Sequence, residues 1–332
     1  MRLTPIVLTF VPSRPSKQDR SQPFMTSSVL KRSIMPQGEQ AENLSFFPDR
    51  SNILCTSKPQ KEVALEYSHF WSGMTGKIEY MTPEGIHSSS LSKVRIKPAQ
   101  GRLGDCWAIA PMRAAIRKGL LDNSVSYDKG EDKIHVRLFR RKRLFGPLEP
   151  IIVSVSPKLP IVTATKQLIY ATPDEAKIIS QGRIFFKGER GGLAAAYIEK
   201  AMAKEKSSLF ADGYNSLNGG IHGEALEMLT GKKAHYVSCF QKGKLQQAVK
   251  EAPARGIGCV GTLPVFPNTQ IGKTLYPRHV YSILRVEGSS VIVENPWGVH
   301  FSDEPSQIRI PLEEVHRYFG FMSWVDIPKS ST

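Results

Sequence analysis

A cysteine at position 106 stands at the junction between a glycine-containing loop and an alanine-rich segment with helical spacing. The loop, residues 100–105, reads Gln-Gly-Arg-Leu-Gly-Asp, and residues 106–121 are predicted to form a helix. The partial positive charge at a helix N-terminus is expected to lower the pKa of the Cys106 thiol and to favour the thiolate. The two glycines allow a tight turn and the close approach of another backbone. A buried core cysteine is the ordinary alternative, so this block alone leaves two interpretations open.

Two other residues of this block carry expectations of their own. Gln100 offers an amide NH2 that could point back beside the cysteine, where the amide and the Cys106 backbone N–H would give an oxyanion two donors. Pro111 lies inside the predicted helix and removes one backbone hydrogen bond, so we expect it to bend the helix or to delay its regular part.

Composition limits the classes of protein that the chain can belong to. The 332 residues are enough for one large or two ordinary domains, and an apolar content of 40% allows a real core. No run of about 18 apolar residues occurs, which rules out a transmembrane helix. The 45 Lys and Arg residues against 30 Asp and Glu give a net charge of +15, which invites a nucleic-acid or anionic-surface interpretation. Because no RNP, helix-turn-helix or zinc motif supports that interpretation, we expect no specific nucleic-acid partner.

The cysteines do not form a structural pattern. Four occur, at Cys55, Cys106, Cys239 and Cys259, and no two of them make a CxxC pair, so a zinc ribbon is excluded. Four cysteines in a chain of this length do not make a disulfide scaffold. A reducing compartment therefore fits at least as well as an oxidising one.

Residues 1–60 differ in composition from the rest of the chain. They hold nine Ser and seven Pro, and eight basic against four acidic residues give this segment a charge of +4. Such a segment buries too little apolar area to offset its ordering entropy, so we expect a largely disordered leader. A secretory signal peptide is a sharper alternative, although Pro5 interrupts the apolar stretch and no A-x-A site follows. A type III-style export signal is a third, which leaves the location open between cytoplasm and export.

From residue 61 onward the composition is that of a globular protein, and a helix-rich half is followed by a strand-rich half. Residues 193–206 and 223–230 are predicted helices, and Gly231 ends the second. This order predicts a helix-rich lobe over 61–235, a β-rich lobe over 236–332, and a ligand-binding cleft between them. The predicted strands, which alternate or run apolar, cover residues 133–139, 150–155, 256–263, 279–286, 291–295 and 321–326.

A basic cluster at residues 140–143, Arg-Arg-Lys-Arg, separates the first two predicted strands. One interpretation is a site for a phosphate or an acidic partner. The other is a solvated hairpin tip, which we favour.

His279 opens one predicted strand and Asn295 closes the next, and together they could supply the base and the orienting group that a thiol nucleophile needs. The residues between the strands, 287–290, carry a hairpin signal. Side chains alternate between faces along a strand, so a regular two-residue turn would put His279 and Asn295 on opposite faces. A catalytic pair therefore requires an odd-length loop or a β-bulge. Trp297 could then cover the pair from water, whereas a structural histidine and an aromatic turn are the ordinary alternatives.

Several blocks, taken in order, resemble the calpain-type papain-like cysteine proteases. One such block would be weak evidence, but all of them occur in the same order as in the family, which makes chance a poor explanation. The resemblance spans roughly residues 90–326. The blocks are Q-G-R-L-G-D-C-W at 100–107, I-E-K-A-M-A-K at 198–204, E-A-L-E-M-L-T-G at 224–231 after an N-G-G turn, and H-V-Y-S-I at 279–283 with E-N-P-W-G at 294–298.

The resemblance implies an α+β, papain-like fold and the hydrolysis of peptide bonds in protein substrates. By position in the matching blocks, it implies that Cys106 is the nucleophile, His279 the general base, Asn295 the orienter of the imidazole and Gln100 an oxyanion donor. It implies no cofactor for the chemistry itself. Two alternatives stay open: non-hydrolytic acyl transfer by a transamidase or ligase, and a calpain-like pseudoenzyme that binds partners through its cleft.

The sequence also departs from the family pattern. Gly191-Gly192-Leu193 stands where the family has an aromatic residue, and residues 154–158 replace an acidic stretch with Ser-Val-Ser-Pro-Lys. Calcium requires several carboxylate oxygens, so this loss argues against calcium activation. No EF-hand loop or C2-like domain follows Asp326, and we expect a minimal form of the protease core.

Overall fold

The structure is a computed structural model whose described residues all belong to one of the chain's two compact units. These units are Met1–Phe46 and Phe47–Thr332, and the second holds every described residue. The predicted leader over 1–60 lies outside the described residues. Described are residues 78–83, 86, 91–101, 103–142, 146–163, 168–173, 193–207, 213–298 and 306–328.

The described helices fall in both halves of the chain. Within the described ranges, no helix is long and apolar enough to cross a bilayer. We number them α1 Cys106–Arg117, α2 Ala194–Lys206, α3 His222–Thr230, α4 Lys242–Arg255, α5 Gln270–Thr274 and α6 Val315–Tyr318.

The described strands are short, and every pairing between them is antiparallel. They are β1 Ile78–Met81, β2 Pro98–Ala99, β3 Val125–Asp128, β4 Lys133–Arg141, β5 Leu148–Val155, β6 Leu159–Val162, β7 Thr172–Pro173, β8 His235–Ser238, β9 Gly256–Thr262, β10 Val280–Glu287, β11 Ser290–Glu294, β12 Gln307–Pro311 and β13 Phe319–Asp326.

Six of these strands form the largest sheet, in the order β12-β11-β10-β9-β13-β8. A second sheet joins β3, β4 and β5, and β1–β6 and β2–β7 are two-stranded pairs. Helices combined with antiparallel sheets make an α+β protein, as predicted.

Buried apolar side chains form two clusters, on opposite faces of the largest sheet. One cluster packs α1, α2 and α3 against Cys259 of β9, and the other packs α4 against the next residue, Val260. Adjacent residues of a strand point to opposite faces, so β9 contributes to both clusters. The boundaries predicted for the two lobes, 61–235 and 236–332, stay a prediction.

Helix α1 is buried along almost its whole length, with residues 107–116 all buried. A helix that is buried on every side is typical of a protein interior, and its one buried charged residue, Arg113, forms an ion pair with Glu294. Trp107 anchors its first turn, because the indole Nε1 donates a hydrogen bond to the Leu217 carbonyl at 2.8 Å. Pro111 lies within the helix, yet the helix begins at Cys106, so the expected delay of its regular part is wrong. The proline ring is itself buried, and its packing offsets the one backbone hydrogen bond that it cannot donate.

Helix α4 was not predicted from the sequence. It lies in the part of the chain where only strands were expected, and it buries a narrow stripe formed by Leu245, Val249 and Ala252. Only three of its fourteen residues are buried, and Pro253 lies near its end, so the sequence gives a weak helical pattern. This narrow stripe is enough to hold α4 in place because the largest sheet covers it.

The hairpin formed by β10 and β11 contains a β-bulge. At the tip, Glu287 pairs with Ser290 across a two-residue turn, whereas beyond Leu284 the register has shifted by one residue and Ser282 pairs with Glu294. Leu284 is therefore the extra residue that a bulge inserts into one strand.

The bulge determines on which face of the sheet the side chains of His279 and Asn295 lie. Without it, the two-residue turn would have put them on opposite faces of the sheet. With the shifted register, both side chains lie on the same face, one step diagonal to each other. The prediction of an odd-length loop or a bulge is thus confirmed, in the form of a bulge.

The basic cluster at residues 140–143 is neutralised within the chain at three of its four positions. Each of these three side chains forms an ion pair with a carboxylate, and Arg143 lies outside the described residues. The pairs are Arg140–Glu205, Arg141–Glu227 and Lys142–Glu149. These contacts favour the structural interpretation of the cluster.

Candidate active site

Cys106 is the first residue of α1, and a tight loop holds it in place. The Gly219 N–H donates to the Gly104 carbonyl at 2.9 Å, and a Cβ atom on Gly104 would overlap the Asn218 amide. A side chain at position 104 would therefore displace the Asn218 side chain from its place against the loop. The Cys106 side chain keeps intermediate exposure, and its sulfur accepts a hydrogen bond from the Val280 N–H.

The electrostatic surroundings of Cys106 differ from the expectation. Burial raises the pKa of the Cys106 thiol to about 12, and the negative charge of Asp105 adds to the increase. Backbone hydrogen bonds from Val280 and Trp107 lower the pKa but do not outweigh burial. The expected low pKa of the thiol at the helix N-terminus is therefore wrong, because partial loss of hydration outweighs the favourable effect of the helix dipole.

His279 lies directly before β10, and Thr262 fixes its backbone on both sides. The His279 N–H donates to the Thr262 Oγ1 at 2.8 Å, and the Thr262 N–H donates to the His279 carbonyl at 2.8 Å. The side chain of His279 is buried. Sequence reasoning missed Thr262, whose only signal was a position at the end of the neighbouring strand.

The imidazole of His279 is hydrogen-bonded to Asn295. His279 Nε2 lies 3.0 Å from Asn295 Oδ1, and the same oxygen accepts a hydrogen bond from the Trp297 N–H at 3.1 Å. The second contact identifies this atom as the amide oxygen, since an NH2 group there would oppose the Trp297 N–H. His279 Nε2 must then carry a proton, and in the neutral imidazole Nδ1 is the free acceptor.

Aromatic rings enclose His279. The Trp297 ring lies with its centroid 4.9 Å from that of the imidazole, and the Tyr281 ring meets it edge-on at 5.0 Å. Tyr276 packs on Trp297 at 4.2 Å. Burial lowers the pKa of His279 to about 4, against a smaller opposing effect of the bond to Asn295. The imidazole is therefore neutral at pH 7, and Trp297 covers it as the sequence suggested.

Gln100 lies beside this pair but is occupied by internal contacts. Its backbone N–H donates to the Pro296 carbonyl at 2.8 Å, which brings the loop before Cys106 next to the residue that follows Asn295. Its side-chain Nε2 donates to the Leu103 carbonyl at 2.6 Å. The amide is thus turned toward its own loop, whereas the sequence led us to expect it beside the cysteine.

A pair of buried carboxyl groups lies behind Cys106. Asp105 and Glu199 are both fully buried, and Glu199 Oε2 accepts a hydrogen bond from the Ala171 N–H at 3.0 Å. Burial raises the pKa of Asp105 to about 7, opposed by a hydrogen bond from Glu199, and burial together with the charge of Asp105 holds the pKa of Glu199 well above its usual value. Two adjacent buried carboxyls do not both ionise, so the pair retains a proton at neutral pH. Sequence reasoning placed both residues in family blocks but did not pair them.

Calcium is the metal that the family resemblance brings into question. The described part of the chain shows no cluster of side chains arranged as metal ligands. No group of three or more His, Cys, Asp or Glu side chains there is arranged to hold a metal ion. The expectation that calcium is not needed stays a prediction, and none of the chemistry below is routed through calcium.

Comparison with known proteins identifies one family. The model for the calpain family cysteine proteases matches residues 45–307, which is well over half of the chain and includes all four sequence-predicted site residues. A search of curated proteins finds no significant match.

Proposed function

We propose that this chain, which belongs to the calpain family of cysteine proteases, is an endopeptidase that cleaves protein substrates through Cys106, His279 and Asn295. The observation that carries the proposal is the hydrogen-bonded pair of His279 and Asn295, 3.0 Å apart, beside a cysteine that opens a helix. The bond from the Val280 N–H brings the sulfur of Cys106 against the residue next to His279. These are the nucleophile, base and orienting group that covalent acyl chemistry needs. The active site would lie in a cleft between a helical and a β-rich lobe.

The first step starts from a neutral thiol and a neutral imidazole. Burial holds the pKa of Cys106 high and that of His279 low, so neither is charged at pH 7 before substrate binds. His279 Nδ1 accepts the thiol proton while the sulfur attacks the substrate carbonyl carbon, and the carbonyl oxygen becomes an oxyanion. Asn295 Oδ1 holds Nε2–H throughout, which stabilises the imidazolium that forms.

The second step releases the amine and then the acid. The His279 imidazolium donates its proton to the leaving nitrogen, the C–N bond breaks, and a thioester to Cys106 remains. Water then attacks the thioester while His279 accepts its proton, and the proton returns to the sulfur as the carboxylic acid leaves. Every proton and bond is accounted for by groups of the chain and water, so we propose that the chemistry needs no cofactor.

The oxyanion requires donors, and two are proposed. The Cys106 backbone N–H lies in the first turn of α1, where N–H groups have no partner within the helix. Gln100 Nε2 is the second donor, and in this role it must release or share its bond to the Leu103 carbonyl when a substrate oxygen arrives. Loss of one such donor costs about 100- to 1,000-fold in kcat.

Cleavage of an unfolded protein substrate tests the proposal. Wild type is expected to cleave it, while Cys106→Ala and His279→Ala are expected to be inactive, and Gln100→Ala to retain roughly 1% of kcat or less. Cys239→Ala is the matched control, because Cys239 is another partly exposed free cysteine and lies outside the site. Full cleavage by both Cys106→Ala and His279→Ala would contradict the proposal.

The same assay separates hydrolysis from acyl transfer. An added amine acceptor would appear in the product mass if the thioester were passed to an amine, and would be absent if water attacks. We expect the hydrolysis product.

A further inference from the structure

Glu294, the residue directly before Asn295, is a buried carboxylate surrounded by cationic side chains. It is 2% exposed. Its Oε1 accepts hydrogen bonds from Arg113 Nη2 and Lys97 Nζ, both at 2.8 Å, and its Oε2 accepts one from Arg117 Nη1 at 3.0 Å. The Ser282 hydroxyl, opposite Glu294 in the hairpin, lies 3.4 Å from the same oxygen. These contacts use both carboxylate oxygens of Glu294.

Two of the three cations come from the helix that begins at the proposed nucleophile, and Lys97 comes from the segment before β2. Arg113 and Arg117 lie one turn apart on α1, the helix that begins at Cys106, and Arg113 is only 1% exposed. Arg113 Nη1 also donates to the Pro98 carbonyl at 2.6 Å. Arg117 Nη2 lies 3.4 Å from the Ile283 carbonyl of β10. The cluster therefore ties the nucleophile's helix to both strands of the hairpin that links His279 to Asn295.

The pKa of Glu294 agrees with its place as the anionic partner in these ion pairs. Burial would raise the pKa of Glu294, yet the Arg113 and Lys97 contacts lower it to about 2. Glu294 is therefore ionised at neutral pH. A buried ion pair of this kind adds little net stability over apolar residues of the same volume, so its value lies in fixing one geometry.

We propose that Glu294 is a positioning residue for the peptidase reaction. Its ion pairs with Arg113 and Arg117 hold the end of β11, and with it Asn295, at a fixed place relative to the helix of Cys106. Asn295 in turn orients His279. The catalytic part of this inference rests on the proposed function, whereas the effect on the His279 imidazole does not.

The test uses Glu294→Gln, which keeps the shape and removes the charge. We expect kcat for the unfolded-protein substrate to fall about 10- to 100-fold, with KM nearly unchanged, because a displaced catalytic group slows chemistry more than binding. Glu287→Gln is the matched control. Glu287 lies at the exposed end of the same hairpin, where it pairs with Arg285 and with Arg309 of β12. This control is expected to leave kcat unchanged.

A second readout needs no turnover. The NMR signal of the His279 Nε2 proton, measured in the Cys106→Ala background, reports the bond to Asn295. We expect Glu294→Gln to broaden or shift this signal and Glu287→Gln to leave it unchanged. If wild type cleaves nothing, the proposed function fails, and the NMR comparison still decides whether Glu294 positions the pair.

Two outcomes would overturn the inference. A folded Glu294→Gln protein with unchanged kcat and an unchanged His279 signal is the first. If Glu294→Gln does not fold, Arg117→Gln replaces it, because Arg117 is partly exposed and supplies one bond of the cluster. For Arg117→Gln we expect about a 3- to 10-fold loss in kcat together with a shifted His279 signal. An Arg117→Gln protein with neither change is the second outcome that would overturn the inference.

Discussion

At the scale of single residues, the site depends on how burial sets the charge of each group. Cys106 and His279 are both pushed toward their neutral forms, and Asp105 beside the nucleophile makes a thiolate still less favourable. The Cys106 thiol is thus protonated at rest. Under the proposed mechanism, its attack is therefore expected to occur together with proton transfer to His279.

The charge state of Cys106 can be followed by the ultraviolet absorbance of the thiolate. A thiol whose pKa is raised to about 12 is protonated below that pH, so the difference spectrum between wild type and Cys106→Ser is expected to show no thiolate from pH 5 to pH 9. Thiolate should appear only at strongly alkaline pH. A thiolate signal already present at neutral pH and lost on acidification would show instead a stable ion pair with protonated His279.

At the scale of elements, two glycines illustrate how local backbone requirements differ. Gly231 ends α3 with φ +67°, and a Cβ atom there would lie 2.7 Å from the Phe139 ring. Gly243 lies in the first turn of α4, and nothing would approach within 4 Å of a Cβ atom. The same substitution is therefore expected to have opposite effects at the two positions.

Denaturant unfolding of the two alanine variants measures this difference. Gly231→Ala is expected to lower the free energy of unfolding by about 1–2 kcal/mol or more, since a left-handed residue with a side chain is strained and the ring must move. Gly243→Ala is expected to raise it by about 0.5 kcal/mol, because alanine is the better helix former. A gain in stability for Gly231→Ala would contradict the account of the α3 C-terminus.

Much of the element order was predictable, and the failures have physical causes. The helix at Cys106 and the paired strands after residue 256 carry strong periodic patterns. Parity along the β10–β11 hairpin required an odd-length loop or a bulge if His279 and Asn295 form a pair, and the structure places a bulge at Leu284. Helix α4 was missed because its apolar stripe is narrow. The ion pairs of Glu294 were missed because side-chain partners far apart in sequence leave no local signal. The turn of Gln100 toward Leu103 is a local contact, but no sequence pattern fixes the direction of an amide side chain.

At the scale of the whole molecule, contacts between distant segments assemble the site. Gln100 reaches Pro296 through its backbone, Arg113 reaches Glu294, and Thr262 holds His279. The largest sheet lies between two apolar clusters and carries the histidine and asparagine toward the buried helix of Cys106. The net charge of +15, the first feature to suggest a partner, already counts the carboxylates of these ion pairs, so the pairs leave it unchanged.

The most direct measurement is the mass-spectrometric location of the label left by a thiol-directed electrophilic peptide probe on the full chain. We predict a single modified residue, Cys106, in wild type and in Cys239→Ala, and no label in Cys106→Ala. Labelling should slow strongly in His279→Ala, because no base then accepts the thiol proton. A probe that labels Cys239 or Cys259 in preference to Cys106, or that labels His279→Ala at the wild-type rate, would contradict the assignment of the catalytic centre.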